Sequence, residues 1–315
     1  MALHLAAASD RSRVVLVVGG TSGIGLATSA LLADSDVRLA IAARDEVALA
    51  RAAAALSGDP LLVQVDLTDD ASVAAGLDAV MTTYGRIDGV VSTAQVMAYG
   101  RVEKIPADVF DVVVQTAIQG TAHLAREVLP IFRRQGRGTL VVVSSLLAHI
   151  AVPEMGAYNA AKWGQLGLVR ALQMELRGER DIHVCLVSPG AVDTPIYDQA
   201  GSYAGSAGSA PPPVVPAARV ATAVVECLER PRRHVHVGPA NVAAIGAFRF
   251  LTPLYDRVAG SLVRRVVLRG PAVDRHSGNV LAAVPEQESE SAGWTFGGRR
   301  RGANGRPRWR RGALR

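Results

Sequence analysis

Apolar residues along this chain fall into two alternating kinds of stretch. The runs RVVLVVGG, VRLAIAAR, LLVQVDL, IDGVVSTA, GTLVVVSS and IHVCLVSPG carry Val, Leu, Ile and Ala at successive positions, without the polar alternation of a half-exposed strand. Strands of that kind are covered on both faces, which predicts a parallel sheet with helices on each side. Between them lie segments with helical spacing: one opening near Gly23, then EVALARAAAAL, ASVAAGLDAVMTTYG, a long stretch over about 107–134, GAYNAAKWGQLGLVRALQMELRG, and one near 216–229. RHVHVG adds a short seventh strand. Alternation sustained in this way predicts one doubly wound α/β domain, a Rossmann fold of about seven strands over residues 1–240. Residues 241–270 read as a C-terminal helical extension and 271–315 as a disordered polar tail.

Composition sharpens this picture in three places. Hydrophobic residues make up 49% of the chain but aromatics only 4%, so the core must be aliphatic. The two cysteines, Cys185 and Cys227, form no framework, and Cys185 lies in an apolar run where a buried reduced thiol is expected, which fits a cytoplasmic setting. The net charge of +6 arises from residues 299–315, which hold eight arginines and no acid; the remainder has 26 basic against 28 acidic residues. A basic tail of that composition reads as a solvated end rather than a nucleic-acid site. No stretch reaches the roughly 18 uninterrupted apolar residues of a membrane span, and the N-terminus lacks the basic region of a signal peptide.

The segment VVGGTSGIGLA follows the first strand and opens the first helix. Gly19 ends the strand in a tight turn, Gly23 lets the backbone approach a pyrophosphate, and Gly25 lets helix and sheet pack closely; the helix N-terminus favours the phosphates. The second strand ends Ala42-Ala43-Arg44, with no acid at its end to hold a ribose hydroxyl. A guanidinium there suits a 2′-phosphate, so the reading is NADP(H), with NAD(H) as the alternative. Asp66 follows the third strand at the sheet's carboxyl edge, where it either meets an adenine or caps the next helix.

Only two of the 34 basic residues are lysines, Lys104 and Lys162, and Lys162 lies four residues after Tyr158 in a helical pattern. Chance placement would yield about 0.04 such pairs. At that spacing the side chains share a face. A nearby ammonium favours the phenolate and lowers a tyrosine pKa by about 1–3 units, which makes the phenol a usable acid and base. Ser144 and Ser145 end the fifth strand, where a hydroxyl can hold a carbonyl oxygen or cap a turn.

These motifs, in this order, resemble those of the short-chain dehydrogenase/reductase family over roughly residues 13–238. The match comprises Gly19-x-x-x-Gly23-Ile24-Gly25, Ser145 thirteen residues before Tyr158, Tyr158-x-x-x-Lys162, and SPGAVDTP with Pro189, Gly190 and Thr194. The resemblance implies that Tyr158 exchanges a proton with a carbonyl oxygen as hydride moves to or from a nicotinamide. It implies that Ser145 hydrogen-bonds that oxygen, and that Lys162 binds the nicotinamide ribose and lowers the tyrosine pKa. It also implies cofactor contacts from Gly19, Thr21, Ser22, Gly23, Ile24, Gly25, Arg44, Asp66, Leu67, Ala94, Tyr158, Lys162, Pro189, Gly190, Val192 and Thr194, no metal, and a homo-oligomer.

Two positions depart from the family pattern. Ser92-Thr93-Ala94-Gln95 replaces Asn-Asn-Ala-Gly, with Gln95 adding bulk beside the cofactor. Ala117 stands where the family's asparagine anchors a water that relays protons to the lysine, with Thr116 or Gln119 as candidate substitutes. They feed a second reading, a cofactor-binding sensor or scaffold with little turnover. Residues 196–216, rich in Gly, Ser and Ala, read as a mobile substrate cover. Leu146, Leu147, Ile150 and Met155 predict an apolar site, and hence an apolar ketone or secondary alcohol. Residues 242–269 are apolar and basic, and pack on the body or a partner, with a membrane surface as the alternative.

Overall fold

Residues 12–301 are described by a computed structural model. The alternation read from the sequence becomes β1 (Arg13–Val18), α1 (Gly23–Ala33), β2 (Val37–Ala43), α2 (Glu46–Ala55), β3 (Leu61–Gln64), α3 (Asp70–Tyr84), β4 (Gly89–Ser92), β5 (Ala98–Tyr99), α4 (Ala107–Gln135), β6 (Gly138–Val143), α5 (Gly156–Glu175) and β7 (Ile182–Pro189). Then follow β8 (Ala191–Asp193), α6 (Ile196–Gln199), β9 (Ala200–Ser202), β10 (Val214–Pro216), α7 (Ala217–Glu229), β11 (His234–Val237), α8 (Asn241–Phe250), α9 (Thr252–Val266) and β12 (His276–Gly278). Seven strands form one parallel sheet in the order β11-β7-β6-β4-β1-β2-β3. The chain starts at β1, runs outward to β3, then returns to β4 on the other side of β1. That reversal opens a crevice at the carboxyl ends of the strands, where open α/β sheets bind ligands.

The uninterrupted apolar strands are explained by two cores. Val14, Leu16 and Val18 face α3, α4 and α5, while Val15 and Val17 face α1, α2 and α7. The residues of the central strands are therefore buried on one side or the other, while β3 and β11 at the sheet's edges keep exposed positions. Cys185 and Cys227 are free and buried in the second core.

The segments outside the sheet are more ordered than their composition predicts. The cover at 196–216 contains α6, β9 and β10; β9 pairs with β5 and β12, and β10 pairs with β8. Helix α9 buries Ala259 and Val263 on the body, Tyr255 donates its hydroxyl to the Ala151 carbonyl (2.9 Å), and Arg264 pairs with Glu154 (2.9 Å). Its Leu254, Val258 and Leu262, one turn apart, remain exposed. No helix among the described residues is long and apolar enough to cross a membrane.

The expected disordered tail needs a correction over 271–301. This stretch returns to the sheet's carboxyl edge: β12 pairs with β9, and Trp294 is buried beside Tyr197. It docks because its backbone and few apolar side chains find partners that a composition count does not register. The rest of the arginine-rich tail, 302–315, and the N-terminal 1–11 lie outside the described residues.

Candidate active site

Gly19 and Gly20 both donate their N–H to the Ala42 carbonyl (2.7 and 3.3 Å), turning the chain sharply at the end of β1. Gly19 has φ +83° and Gly23 φ +50°, conformations that favour glycine. A Cβ on Gly25 would lie 1.9 Å from the Gly19 carbonyl oxygen, and one on Gly19 2.6 Å from the Ala94 nitrogen. Thr93 braces the turn by donating its hydroxyl to the Val18 and Gly19 carbonyls (2.9 and 3.1 Å).

Of the sequence-predicted cofactor residues, Gly19, Thr21 to Gly25, Arg44, Asp66, Leu67, Ala94 and Thr194 line one cleft. Pro189, Gly190 and Val192 lie beside it on β7 and β8, and of that segment Thr194 reaches the turn, with its methyl group against Gly23. Asp66 is engaged locally: its carboxylate accepts from the Thr68 N–H and hydroxyl (both 2.8 Å), while Asp69 caps α3. Asp45 beside Arg44 is likewise spent on capping α2, accepting from the Ala48 N–H (2.8 Å).

The C-terminal segment crosses this cleft as a strap. Gly23 N–H and the Ser22 hydroxyl donate to the Ser289 carbonyl (2.9 and 3.3 Å). Arg44 donates to the carbonyls of Asn279 (2.9 Å) and Val280 (3.3 Å). Glu288 approaches Thr21, and burial raises its carboxyl above the usual range. The strap is anchored where Asp193 accepts from the Ser291 hydroxyl and the Ala292 and Trp294 N–H groups (2.5, 3.1 and 2.8 Å). With it in place the cleft has a volume of about 160 Å³, below the roughly 300–1,000 Å³ of ligand pockets.

Ser145, Tyr158 and Lys162 come together further along the same edge, from the end of β6 and one face of α5, outside the lining of that cleft. Tyr158 lies beside Ser145, whose hydroxyl favours the phenolate. Lys162 is fully buried with its Nζ 5.6 Å from the Tyr158 ring centre, and donates to Gln165 Oε1 (3.1 Å) and the Val143 carbonyl (3.4 Å). Leu147, Met155 and Tyr158 belong to one apolar cluster, which Tyr197 and Ile196 join from the cover.

The electrostatics correct a sequence expectation. Burial pushes the Tyr158 phenol up to about 12, against a smaller lowering by Ser145. Burial also pulls Lys162 down to about 7 from 10.5. The lysine does not lower the tyrosine pKa in this state, because the interior that holds the pair disfavours both charges.

A stability signature follows. Folded Lys162 loses its proton near pH 7, whereas the unfolded lysine holds it to about 10.5. Between those values unfolding takes up a proton, so this group makes stability rise with pH. Lys162→Met is expected to flatten that rise by about 1 kcal/mol per pH unit between pH 7 and 10, measured by denaturant unfolding at each pH. An identical slope in the variant would refute the depressed pKa.

Comparison with known proteins agrees with this architecture. The family model for short chain dehydrogenases matches residues 13–203. The chain belongs to the short-chain dehydrogenase family. It is therefore an oxidoreductase that uses NAD(P)(H) and acts on a carbonyl or alcohol group. It is 26% identical over 273 residues to the uncharacterized oxidoreductase YxnA of Bacillus subtilis, covering 85% of this chain and 76% of that protein. It is 36% identical over 190 residues to the monensin polyketide synthase putative ketoacyl reductase of Streptomyces virginiae, covering 59% and 72% respectively. The crystal structure of levodione reductase superposes with a TM-score of 0.64 at 26% identity, over 74% of this chain and 98% of that one.

Within the short-chain dehydrogenase pattern, the two departures have structural outcomes. Gln95 turns toward α4, donating to the Val96 and Val113 carbonyls (2.8 and 3.2 Å), although it still lines the cleft. Neither proposed substitute for the missing asparagine at 117 reaches the lysine. The Thr116 hydroxyl bonds back to the Val112 carbonyl (2.7 Å), and Gln119 is exposed. Gln165 takes the place instead. It receives Lys162 on Oε1 and donates from Nε2 to the Ala117 carbonyl (3.3 Å) and the Thr121 hydroxyl (3.1 Å). Sequence reading missed Gln165; its signal was the three-residue spacing from Lys162, which puts a buried amide one helical turn away.

Proposed function

We propose that the protein is an NADP(H)-dependent carbonyl reductase or alcohol dehydrogenase for a mostly apolar small molecule, with Tyr158 as general acid and base. The observation that carries this reading is the placement of Tyr158 beside Ser145 in an apolar cluster, one helical turn from buried Lys162. The glycine turn fits a dinucleotide, since the crowding at Gly19 and Gly25 holds the backbone open at the helix N-terminus. The bound nicotinamide supplies or accepts the hydride. Ser145 holds the substrate oxygen, and Tyr158 gives it a proton in reduction or takes one in oxidation. Lys162 orients the ribose, and Gln165 fixes the lysine. Burial holds the phenol above its ordinary pKa, so it keeps its proton at neutral pH, which is the form reduction starts from, and it releases that proton less readily than a free tyrosine.

Arg44 favours the 2′-phosphate form. Asp45 is committed to a helix cap, and the Arg44 guanidinium already directs two N–H groups at carbonyl oxygens of the strap. A phosphate is a stronger acceptor for the same fork. Gly23 N–H and Arg44 can serve the strap or the dinucleotide, not both at once, so cofactor binding requires the strap to withdraw. This competition also favours a second reading, a nucleotide-responsive sensor with little turnover.

A panel of apolar ketones and secondary alcohols, followed by nicotinamide absorbance with both cofactors, separates these readings. Turnover with NADPH in preference to NADH is the expected result. Preference for NADH defeats the Arg44 argument, and tight NADPH binding without turnover of any substrate favours the sensor. Gln165→Leu is expected to lower kcat about tenfold with KM little changed, as a lost buried hydrogen bond to a charged group would. An unchanged kcat would remove Gln165 from the proton path.

A further inference from the structure

Three of the chain's seven histidines converge at a place the proposed reaction does not use. His234 and His236 alternate on the edge strand β11, so both project from the same face. His149 arrives from the turn after β6, four residues beyond Ser145. The ring centres of His149 lie 4.9 Å from His234 and 5.1 Å from His236, and those of His234 and His236 are 4.1 Å apart. One nitrogen from each ring lies within 4.8 Å of the others. The fully buried Ser188 hydroxyl on β7 steadies the group, within 2.9 Å of His234 Nε2 and 3.3 Å of His149 Nε2.

We propose that His149, His234 and His236 form a binding site for a divalent transition-metal ion, with Zn²⁺ as the reference case. Imidazole nitrogens bind Zn²⁺ at about 2.0–2.1 Å, which sets two such nitrogens about 3.4 Å apart in a tetrahedral site. Small rotations of half-buried or exposed rings close the present spacing. Two of the rings are half-buried and His236 is exposed, so an ion reaches the set from solvent and a fourth position stays open to water.

The donor chemistry limits the class of ion. The set contains three nitrogens and no carboxylate, which suits Zn²⁺, Co²⁺, Ni²⁺ or Cu²⁺ and not the oxygen-seeking Mg²⁺ or Ca²⁺. Arg249 faces His149 and Arg170 faces His234 with positive charge. A cation is therefore not gathered by a negative field and must be held by direct nitrogen bonds. A bound ion would tie the exposed edge strand to the turn that follows Ser145.

The test uses the full chain without a polyhistidine tag, stripped with chelator and titrated with Zn²⁺ and with Co²⁺. Expected are one equivalent of Zn²⁺ per chain, a raised thermal midpoint, and intense visible bands of low-symmetry Co²⁺. His234→Ala and His236→Ala should each weaken Zn²⁺ binding at least tenfold and abolish the Co²⁺ bands. Their melting in chelator shows whether the fold survives, and His236, exposed on the edge strand, is the substitution least able to disturb it. Absence of saturable binding, equal binding by both variants and the parent, or comparable affinity for Mg²⁺ would overturn the proposal and leave the three rings as packing around Ser188.

Discussion

Tyr158→Phe is expected to lower turnover by about 10²–10⁴-fold, the usual contribution of a positioned proton donor, while NADPH affinity stays within about twofold. The substitution deletes one oxygen from a side chain that is 7% exposed and leaves its ring in the apolar cluster with Met155 and Ile196. It removes no group from the glycine turn or from Arg44, and the ring, Lys162 and the rest of the implied cofactor contacts stay in place, so only the contact made by the hydroxyl itself is lost to the cofactor. Ser145 keeps the Leu147 N–H, which donates to its Oγ (3.1 Å) at the following turn. Steady-state rates read beside cofactor fluorescence would check both halves. Undiminished turnover would remove Tyr158 from the chemistry, and a parallel loss of NADPH binding would make its role structural.

Trp294→Ala is expected to tighten NADPH binding about tenfold by loosening the strap. Trp294 is 7% exposed, meets the Tyr197 ring edge-on at 6.1 Å between centres, and lies 4.7 Å beneath the Arg300 guanidinium. Its loss costs the docked strap roughly 3 kcal/mol or more by the usual scale for a buried aromatic. When only the undocked fraction binds, the apparent Kd is the intrinsic value divided by that fraction. Undocking therefore improves affinity until the strap is mostly free. The contacts that Ser22, Gly23 and Arg44 make with the strap are to backbone carbonyls of Ser289, Asn279 and Val280, so Trp294 is a side chain whose loss separates docking from the cleft itself. Isothermal titration with NADPH gives the answer. Weaker binding in the variant would mean that the strap helps to hold the cofactor rather than competing with it.

Both predictions concern parts of the molecule that differ in how far the sequence revealed them. The two-sided burial of β1, β4, β6 and β7 was legible in continuous Val and Leu runs, because no solvated face could tolerate them. The glycine turn was legible because positive φ and close backbone approach restrict residue choice at Gly19 and Gly25. Tyr158 and Lys162 were legible because helical spacing alone puts them on one face. Gln165 was not, since its value depends on α4 bringing the Ala117 carbonyl and Thr121 hydroxyl against it from far along the chain. The three histidines were likewise invisible as a group, because only the pairing of β11 with β7 carries two of them to the turn that holds the third.

Local and periodic information in the sequence thus determined the doubly wound sheet, the glycine turn and the shared helix face of Tyr158 and Lys162. Tertiary structure alone decided the protonation of Tyr158 and Lys162, since burial, which no spacing encodes, disfavours the charged form of each. It also decided the fate of residues 271–301. Their composition supports no core of their own, but the sheet edge offers Gly23, Arg44 and Asp193 as partners, and hydrogen bonds made at a distance of more than 200 residues to the first two give the segment its place.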